Sequence, residues 1–240
     1  MQILSNPVAF EEKEKLYLSV RAREGRVYTD EEVLLLPGIS LDHKHYREWV
    51  ARMRSFVRFR EHLIKIFKGR KLNILDVGCG NGWISNHLDA EGHCVTGLDL
   101  NLVELKQAEK VFGSSSSLEW IFADITDPAV SLEKYDVILL AASVQYFPDI
   151  KKLTGQLKTL LLAGGQIHLL DSMFYSDNEA IEARQRSFEY YTGVGFPEMA
   201  ANYYHHSKTA VKALGYKKLY PAGLHIISDS AALQWWVLYC

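Results

Sequence analysis

From residue 73 to residue 170, short apolar runs alternate with segments whose apolar positions recur every three or four residues. Asn73–Val77, Cys94–Leu100, Leu118–Asp124, Tyr135–Ala142 and Gln166–Leu170 are the predicted strands. Trp83–Leu88, Leu102–Phe112 and Ile150–Leu162 are the helices between them; in the last, Ile150, Leu153, Leu157 and Leu160 mark one face. Several strand runs are apolar at nearly every position, as parallel strands covered on both sides require. Strand–helix–strand links of this length impose right-handed crossovers, so the expectation is a doubly wound α/β sheet. Two later runs, Tyr216–Tyr220 and Gln234–Cys240, are expected to add an edge hairpin and bring a mostly parallel, Rossmann-like sheet to seven strands.

The flanking segments follow other patterns. Arg47–Phe67 is a predicted helix with Val50, Met53, Val57 and Ile64 at helical spacing and Trp49, Phe56 and Leu63 beside them, stopped by Gly69. Thr29-Asp30-Glu31-Glu32 is a capping arrangement that opens another helix. Beyond the core, Phe174–Tyr204 is unusually aromatic, and Tyr191–Glu198, with two glycines and a proline, is predicted to be a shaped loop. A helix over Met199–Leu214, ended by Gly215, is expected next, carrying His205 and His206. The expected organisation is one domain over residues 1–240: an N-terminal helical lid (1–70), a ligand-binding core (71–172), a cap (173–204), and a last helix with edge strands (205–240).

Composition narrows the class. Lys and Arg total 27 against 29 Asp and Glu, a net charge of −2, which argues against a protein living on nucleic-acid phosphates or acidic lipid. Eight basic residues and one glutamate do cluster between Arg52 and Lys71, a phosphate-facing patch or the solvated face of an amphipathic helix. Cys79, Cys94 and Cys240 are odd in number and lack CxxC spacing, so neither a disulfide framework nor a metal site is expected. The longest apolar run, Val137–Val144, is too short to span a bilayer, and Glu11–Lys15 is charged where a signal peptide would be apolar. The expectation is a soluble, cytoplasmic monomer or homodimer.

The most informative stretch is Ile74-Leu75-Asp76-Val77-Gly78-Cys79-Gly80-Asn81-Gly82-Trp83, a strand running through a glycine turn into a helix. The glycines let the backbone turn tightly and approach a ligand. Asp99, at the end of the second core strand, is placed to accept hydrogen bonds from a ribose. Trp83 is too large for the position a dinucleotide pyrophosphate packs against, and the Asp76 carboxylate would repel one. The same carboxylate suits a ligand carrying ammonium and sulfonium charges. No Lys-Ser or Lys-Thr follows the glycines, which excludes a P-loop.

This stretch resembles motif I of the class I S-adenosylmethionine-dependent methyltransferases, D/E-x-G-x-G-x-G, and the resemblance extends over about residues 72 to 172. It implies that Asp76, Gly78, Gly80 and Gly82 flank the methionine part of S-adenosylmethionine and that Asp99 binds the ribose. Leu100 and Asn101 would lie beside the adenine, and Asp124 and Ile125 would meet its amino group and ring face. Tyr135–Leu140 with the exit from Ala141 to Gln145 would line the reacting centre, and Leu162–Gln166 matches the turn into the next strand. In relatives an N-terminal helix closes over the cofactor, which points to Arg26, Tyr28, Trp49 and Arg52 as lid residues.

Methyl transfer from a sulfonium is an in-line displacement that needs alignment and exclusion of water, and a base only where the acceptor must lose a proton. Tyr146, after the fourth core strand, could border an acceptor, and Asp171, ending the fifth, is placed for a base or a substrate contact. His168 reads as a packed strand residue. The fourth-strand exit lacks Asn/Asp-Pro-Pro-Tyr/Phe, no Pro-Cys nucleophile appears, and no magnesium-binding carboxylate set is evident. The expected acceptor is a small molecule; the alternatives are RNA or protein methylation through the 52–71 helix, or cofactor binding without catalysis.

Overall fold

The structure, a computed structural model, describes residues 1–220 and 233–240. Its strands are β1 (Gln2–Ile3), β2 (Asn73–Val77), β3 (Cys94–Asp99), β4 (Leu118–Phe122), β5 (Tyr135–Ala141), β6 (Leu161–Ser172), β7 (Lys217–Tyr220) and β8 (Gln234–Tyr239). The helices are α1 (Glu11–Glu24), α2 (Asp30–Leu35), α3 (Tyr46–Phe67), α4 (Trp83–Ala90), α5 (Leu102–Phe112), α6 (Ile150–Thr159), α7 (Asp177–Val194) and α8 (Lys208–Ala213). The described strands form one sheet in the order β1-β4-β3-β2-β5-β6-β8-β7. Pairing is parallel from β1 through β6, while β8 runs antiparallel to β6 and β7 antiparallel to β8.

The sheet therefore has eight described strands rather than seven. The addition is β1, too short to read by periodicity, which pairs Gln2 with Ile121 and Ile3 with Phe122. Successive β2 and β5 side chains feed two separate cores. Ile74, Val137 and Leu139 join a cluster with α2, α3, α4 and α5, and Leu75, Val77, Ile138 and Leu140 join one with α6 and α8. Burial on both faces is why these strands lack polar alternation.

Three helical expectations are corrected. In α3 the stripe Val50, Met53, Val57 and Ile64 is not the core face: Trp49, Phe56, Phe59 and Leu63 are buried, and Met53, Val57 and Ile64 are exposed. The larger aromatic surfaces gain more by burial, so they take the inner face. The Tyr191–Glu198 loop begins later than expected, because α7 continues through Val194 and ends on Gly195 in the left-handed conformation. No single helix covers Met199–Leu214. A 3-10 segment over Pro197–Asn202 gives way to backbone without regular structure at Tyr203–His206, extended at Tyr203, and α8 starts only after Ser207 caps it. His205 and His206 thus sit outside any helix, where Tyr175 N–H donates to the His206 carbonyl. The last predicted unit, 205–240, includes residues 221–232, which lie outside those described.

Candidate active site

At the carboxyl end of β2 the chain enters a turn that only glycine accommodates. Gly78, Gly80 and Gly82 have φ of 74°, 54° and 77°. A Cβ on Gly78 would overlap Ser143, whose hydroxyl donates to the Val77 carbonyl at 2.7 Å; a Cβ on Gly82 would overlap the Trp120 ring. The turn is thus wedged between the β5 exit and an indole lodged beneath it. Above it a cavity of about 560 Å³ opens over the ends of β2, β5 and β6. That volume lies within the usual range for small-molecule sites, and β2 is where the strand order reverses.

Asp76, Gly78, Gly80, Ala141, Tyr146, Asp171, Tyr28, Trp49 and Arg52 all line this cavity. Gly82 lies behind it as the N-cap of α4. Asp99 braces the turn from outside, accepting the Gly80 N–H at 2.7 Å on one oxygen and the Asn101 N–H at 2.8 Å on the other. Leu100, Asn101, Asp124 and Ile125 lie outside the cavity wall. Asn101 caps α5 through the Glu104 N–H, Asp124 accepts from the Thr126 amide and hydroxyl, and Ile125 is buried in the second core. The N-terminal segment occupies that side: the Asp124 N–H donates to Ser5 Oγ, and Phe10 packs edge-on against Phe122.

The wall from the N-terminal region is built on interlocked aromatics and ions. Trp49 Nε1–H donates to the Tyr28 hydroxyl at 2.8 Å, and the Trp49 ring meets Trp83 edge-on at 5.5 Å. Arg26 bridges Glu24 and Glu48, and Arg52 pairs with Glu48 at 3.2 Å. From the opposite side Tyr146 packs edge-on against Tyr17 and Tyr203, and Tyr203 contacts Tyr191 and His205. His168 is remote from this cavity, packed on Phe59 and accepting from Trp235 Nε1–H at Nδ1.

Four buried polar atoms in the cavity wall have no hydrogen-bond partner among the described residues: Asp76 Oδ1, Asp171 Oδ1, Arg21 Nε and His205 Nδ1. Buried polar groups are seldom left so, and their convergence on one space marks a ligand site. Burial pushes the Asp76 carboxyl up to about 7, despite the hydrogen bond from Ser85 at 2.8 Å. Burial likewise raises Asp171 to about 6, against the opposing influence of Arg52 and Ser55. Asp171 sits at a bulge between Leu170 and Ser172 with φ of 54°, and Ala142, on the neighbouring strand exit, has φ of 53°. Left-handed backbone at two non-glycine residues is strain concentrated at one end of the sheet, and the bulge re-aims Asp171 into the cavity.

Sequence reasoning missed Arg21, Glu104, Tyr17 and Tyr203, all cavity residues. The signal for two of them was present, since Tyr17 and Arg21 share one face of α1 with Val20 and Glu24, all lining the cavity. Tyr203 fell within a misassigned helix.

Residues 74–165 match a family model described as a methyltransferase domain. A sterol 24-C-methyltransferase of Gibberella zeae is 26% identical over 184 residues, 74% of this chain and 47% of the relative. Over this stretch the chain resembles the class I S-adenosylmethionine-dependent methyltransferases. Another relative, the malonyl-(acyl-carrier protein) O-methyltransferase of Hamiltonella defensa, is 28% identical over 143 residues, 59% of this chain and 54% of the relative. The chain spans about half the length of the curated relatives it matches. Among solved structures, the magnesium protoporphyrin IX methyltransferase of Synechocystis PCC 6803, with bound SAH, shares the fold at a TM-score of 0.57 and 15% identity, over 91% of this chain and 92% of that one.

Proposed function

We propose that this chain transfers a methyl group from S-adenosylmethionine to a small-molecule acceptor. The observation that carries the reading is the cavity above the glycine turn, where a 1% exposed carboxylate, Asp76, holds one oxygen without a partner. A buried acceptor with nothing to accept from is costly unless a cationic ligand answers it, and the donor set fits an ammonium and sulfonium. When bound, the cofactor supplies a methyl on a positive sulfur that leaves as a neutral thioether.

In this reading Asp76, Gly78, Gly80 and Gly82 hold the methionine part. Asp99 keeps acceptor capacity for ribose hydroxyls beyond the two amides it already takes. Leu100, Asn101, Asp124 and Ile125 meet the adenine, which requires the Ser5–Phe10 segment to yield. Tyr28, Trp49 and Arg52 with Ala141 exclude water from the sulfur side. Tyr146, its hydroxyl held neutral by burial, orients the acceptor as a hydrogen-bond partner, and Asp171, raised to about 6, takes the proton of an acceptor that must lose one.

The curated relatives act, by name, on sterol and malonyl-(acyl-carrier protein) substrates, which supports a small or carrier-borne acceptor over a nucleic acid. About half of the basic stretch is already engaged within the chain, while Arg54, Lys65, Lys68 and Lys71 make no ion pair among the described residues. Within it Arg52 pairs with Glu48, Arg60 with Glu91, Arg70 with Asp136, and Arg58 stacks over Tyr220. Calorimetry tests the proposal: S-adenosylhomocysteine binds the wild type, Asp99→Ala weakens it about tenfold or more, and NADH is ignored. Tight NADH binding without S-adenosylhomocysteine binding overturns it. Turnover of the cofactor in a metabolite extract separates an enzyme from a cofactor-binding protein without catalysis.

A further inference from the structure

Glu104, in the first turn of α5, enters the cavity beside the glycine turn, its Oε2 only 3.2 Å from where a Gly80 Cβ would stand. Its carboxylate makes no hydrogen bond and no ion pair with any described residue. Asp76 lies at the other end of the same turn, 1% exposed, with Oδ1 unpartnered and facing the same space. The groups whose charge reaches Glu104 are Asp99 at the end of β3, Glu14 and Arg21 on α1, and Arg52 on α3. Cys79 and Tyr17 add only neutral side chains here, since burial raises both well above their ordinary values. Arg52 is already paired with Glu48, and Arg21 lies at 3.7 Å from Glu24. Three carboxyls thus crowd one glycine turn with no cation among the described residues paired to any of them.

We propose that Glu104, acting with Asp76, is the residue by which this chain holds the cationic methyl donor in preference to its neutral-sulfur product, binding the donor in exchange for a proton. The inference rests on the reading of the cavity as a methyl-donor site. Burial and the neighbouring Asp99 raise Glu104 to about 7, and burial raises Asp76 to about the same value. Near neutral pH each is therefore partly protonated before the donor arrives. A positive ligand favours the ionised carboxylate, lowers its pKa and sends the displaced proton to the buffer. After transfer the sulfur is neutral, the carboxyl recovers its proton, and the site loses the charge attraction that retained the donor.

Titration calorimetry of S-adenosylmethionine and S-adenosylhomocysteine between pH 6 and 7.5, in two buffers of different ionisation enthalpy, tests this. For the wild type, donor binding releases protons, and the donor-to-product affinity ratio rises several-fold with pH, toward a limit of about tenfold per pH unit for each carboxyl. In Glu104→Gln the ratio falls several-fold and loses about half of its pH dependence, the remainder belonging to Asp76, while product affinity moves by less than about twofold. Glu104→Met, checked by thermal melting for an intact fold, gives the same loss. An unchanged ratio in both variants, or a pH-independent ratio in the wild type, overturns the proposal. Failure of either ligand to bind the wild type would instead overturn the methyl-donor reading itself.

Discussion

Ser85 gives Asp76 one hydrogen bond, and the second carboxylate oxygen waits in a space from which bulk water is largely shut out. The folded pKa stands at about 7 against an ordinary 3.8, so the folded state binds the proton more tightly than the unfolded chain. The associated stability is complete below about pH 4 and disappears as pH rises through about 7. Without ligand, Asp76→Asn should therefore melt higher than the wild type at pH 8, by roughly 1–2 kcal/mol, with the difference vanishing near pH 4 and S-adenosylhomocysteine affinity reduced. Melting curves at both pH values check it; a variant less stable at pH 8 would show that the carboxylate is already satisfied. At this scale the glycine turn, Asp76 and Asp99 were legible because their chemistry is written in consecutive residues. Glu104 and Arg21 were not, because an acid on α5 and an arginine on α1 acquire meaning only when two separate helices are laid over one turn.

Among the elements, α2 shows local code and tertiary packing in agreement. Thr29 Oγ1 accepts the Glu32 N–H at 3.2 Å while the Glu32 carboxylate accepts the Thr29 N–H at 2.8 Å. The helix is anchored on α5 by Gln107, which donates to the Tyr28 carbonyl and to Asp30. Thr29→Ala should cost about 1 kcal/mol, seen as a fall in Tm of roughly 2–4 °C, with cofactor affinity nearly unchanged; a shift below half a degree would mean the cap adds nothing in this context. Elements whose ends carry such signals were found close to their true limits: α5 was read in full and β2 to the residue. The failures share a physical origin. In α3 two apolar stripes compete, and only the sheet beneath chooses between Phe56 and Val57. At 203–206 helical spacing was present, but the backbone is drawn into hydrogen bonds with Tyr175 and Gln145, whose carbonyl accepts the Tyr204 N–H. The bulge that turns Asp171 inward is likewise set by pairing with β8, a strand more than sixty residues away.

For the molecule as a whole, the alternating pattern was enough to foresee a doubly wound sheet, since strands buried on both faces must be apolar throughout. What it left out was the N-terminal pairing of β1 with β4, a two-residue match stabilised by the Met1 ammonium against Glu109 and by Ser5 against Asp124. The chain thereby closes on itself at the β4 edge of the sheet. On the other side, rings from α1, the β5 exit and the cap touch in series, Tyr17 to Tyr146 to Tyr203 to Tyr191. Contributions from such distant parts converge on one cavity, and no short window of the chain records that meeting.

The edge-on contact of Trp49 with Trp83 has an optical consequence. One indole rides on α3 and the other begins the helix that follows the glycine turn, and both border the cavity. Their excited states are coupled at this separation, and their orientation depends on how α3 seats. Adding S-adenosylhomocysteine should therefore alter the near-ultraviolet circular dichroism and quench or shift the emission, without any label. Trp49→Phe should abolish most of that signal while retaining binding by calorimetry; a spectrum indifferent to the ligand in the wild type would place the two rings out of its reach. The protein carries its own reporter of occupancy.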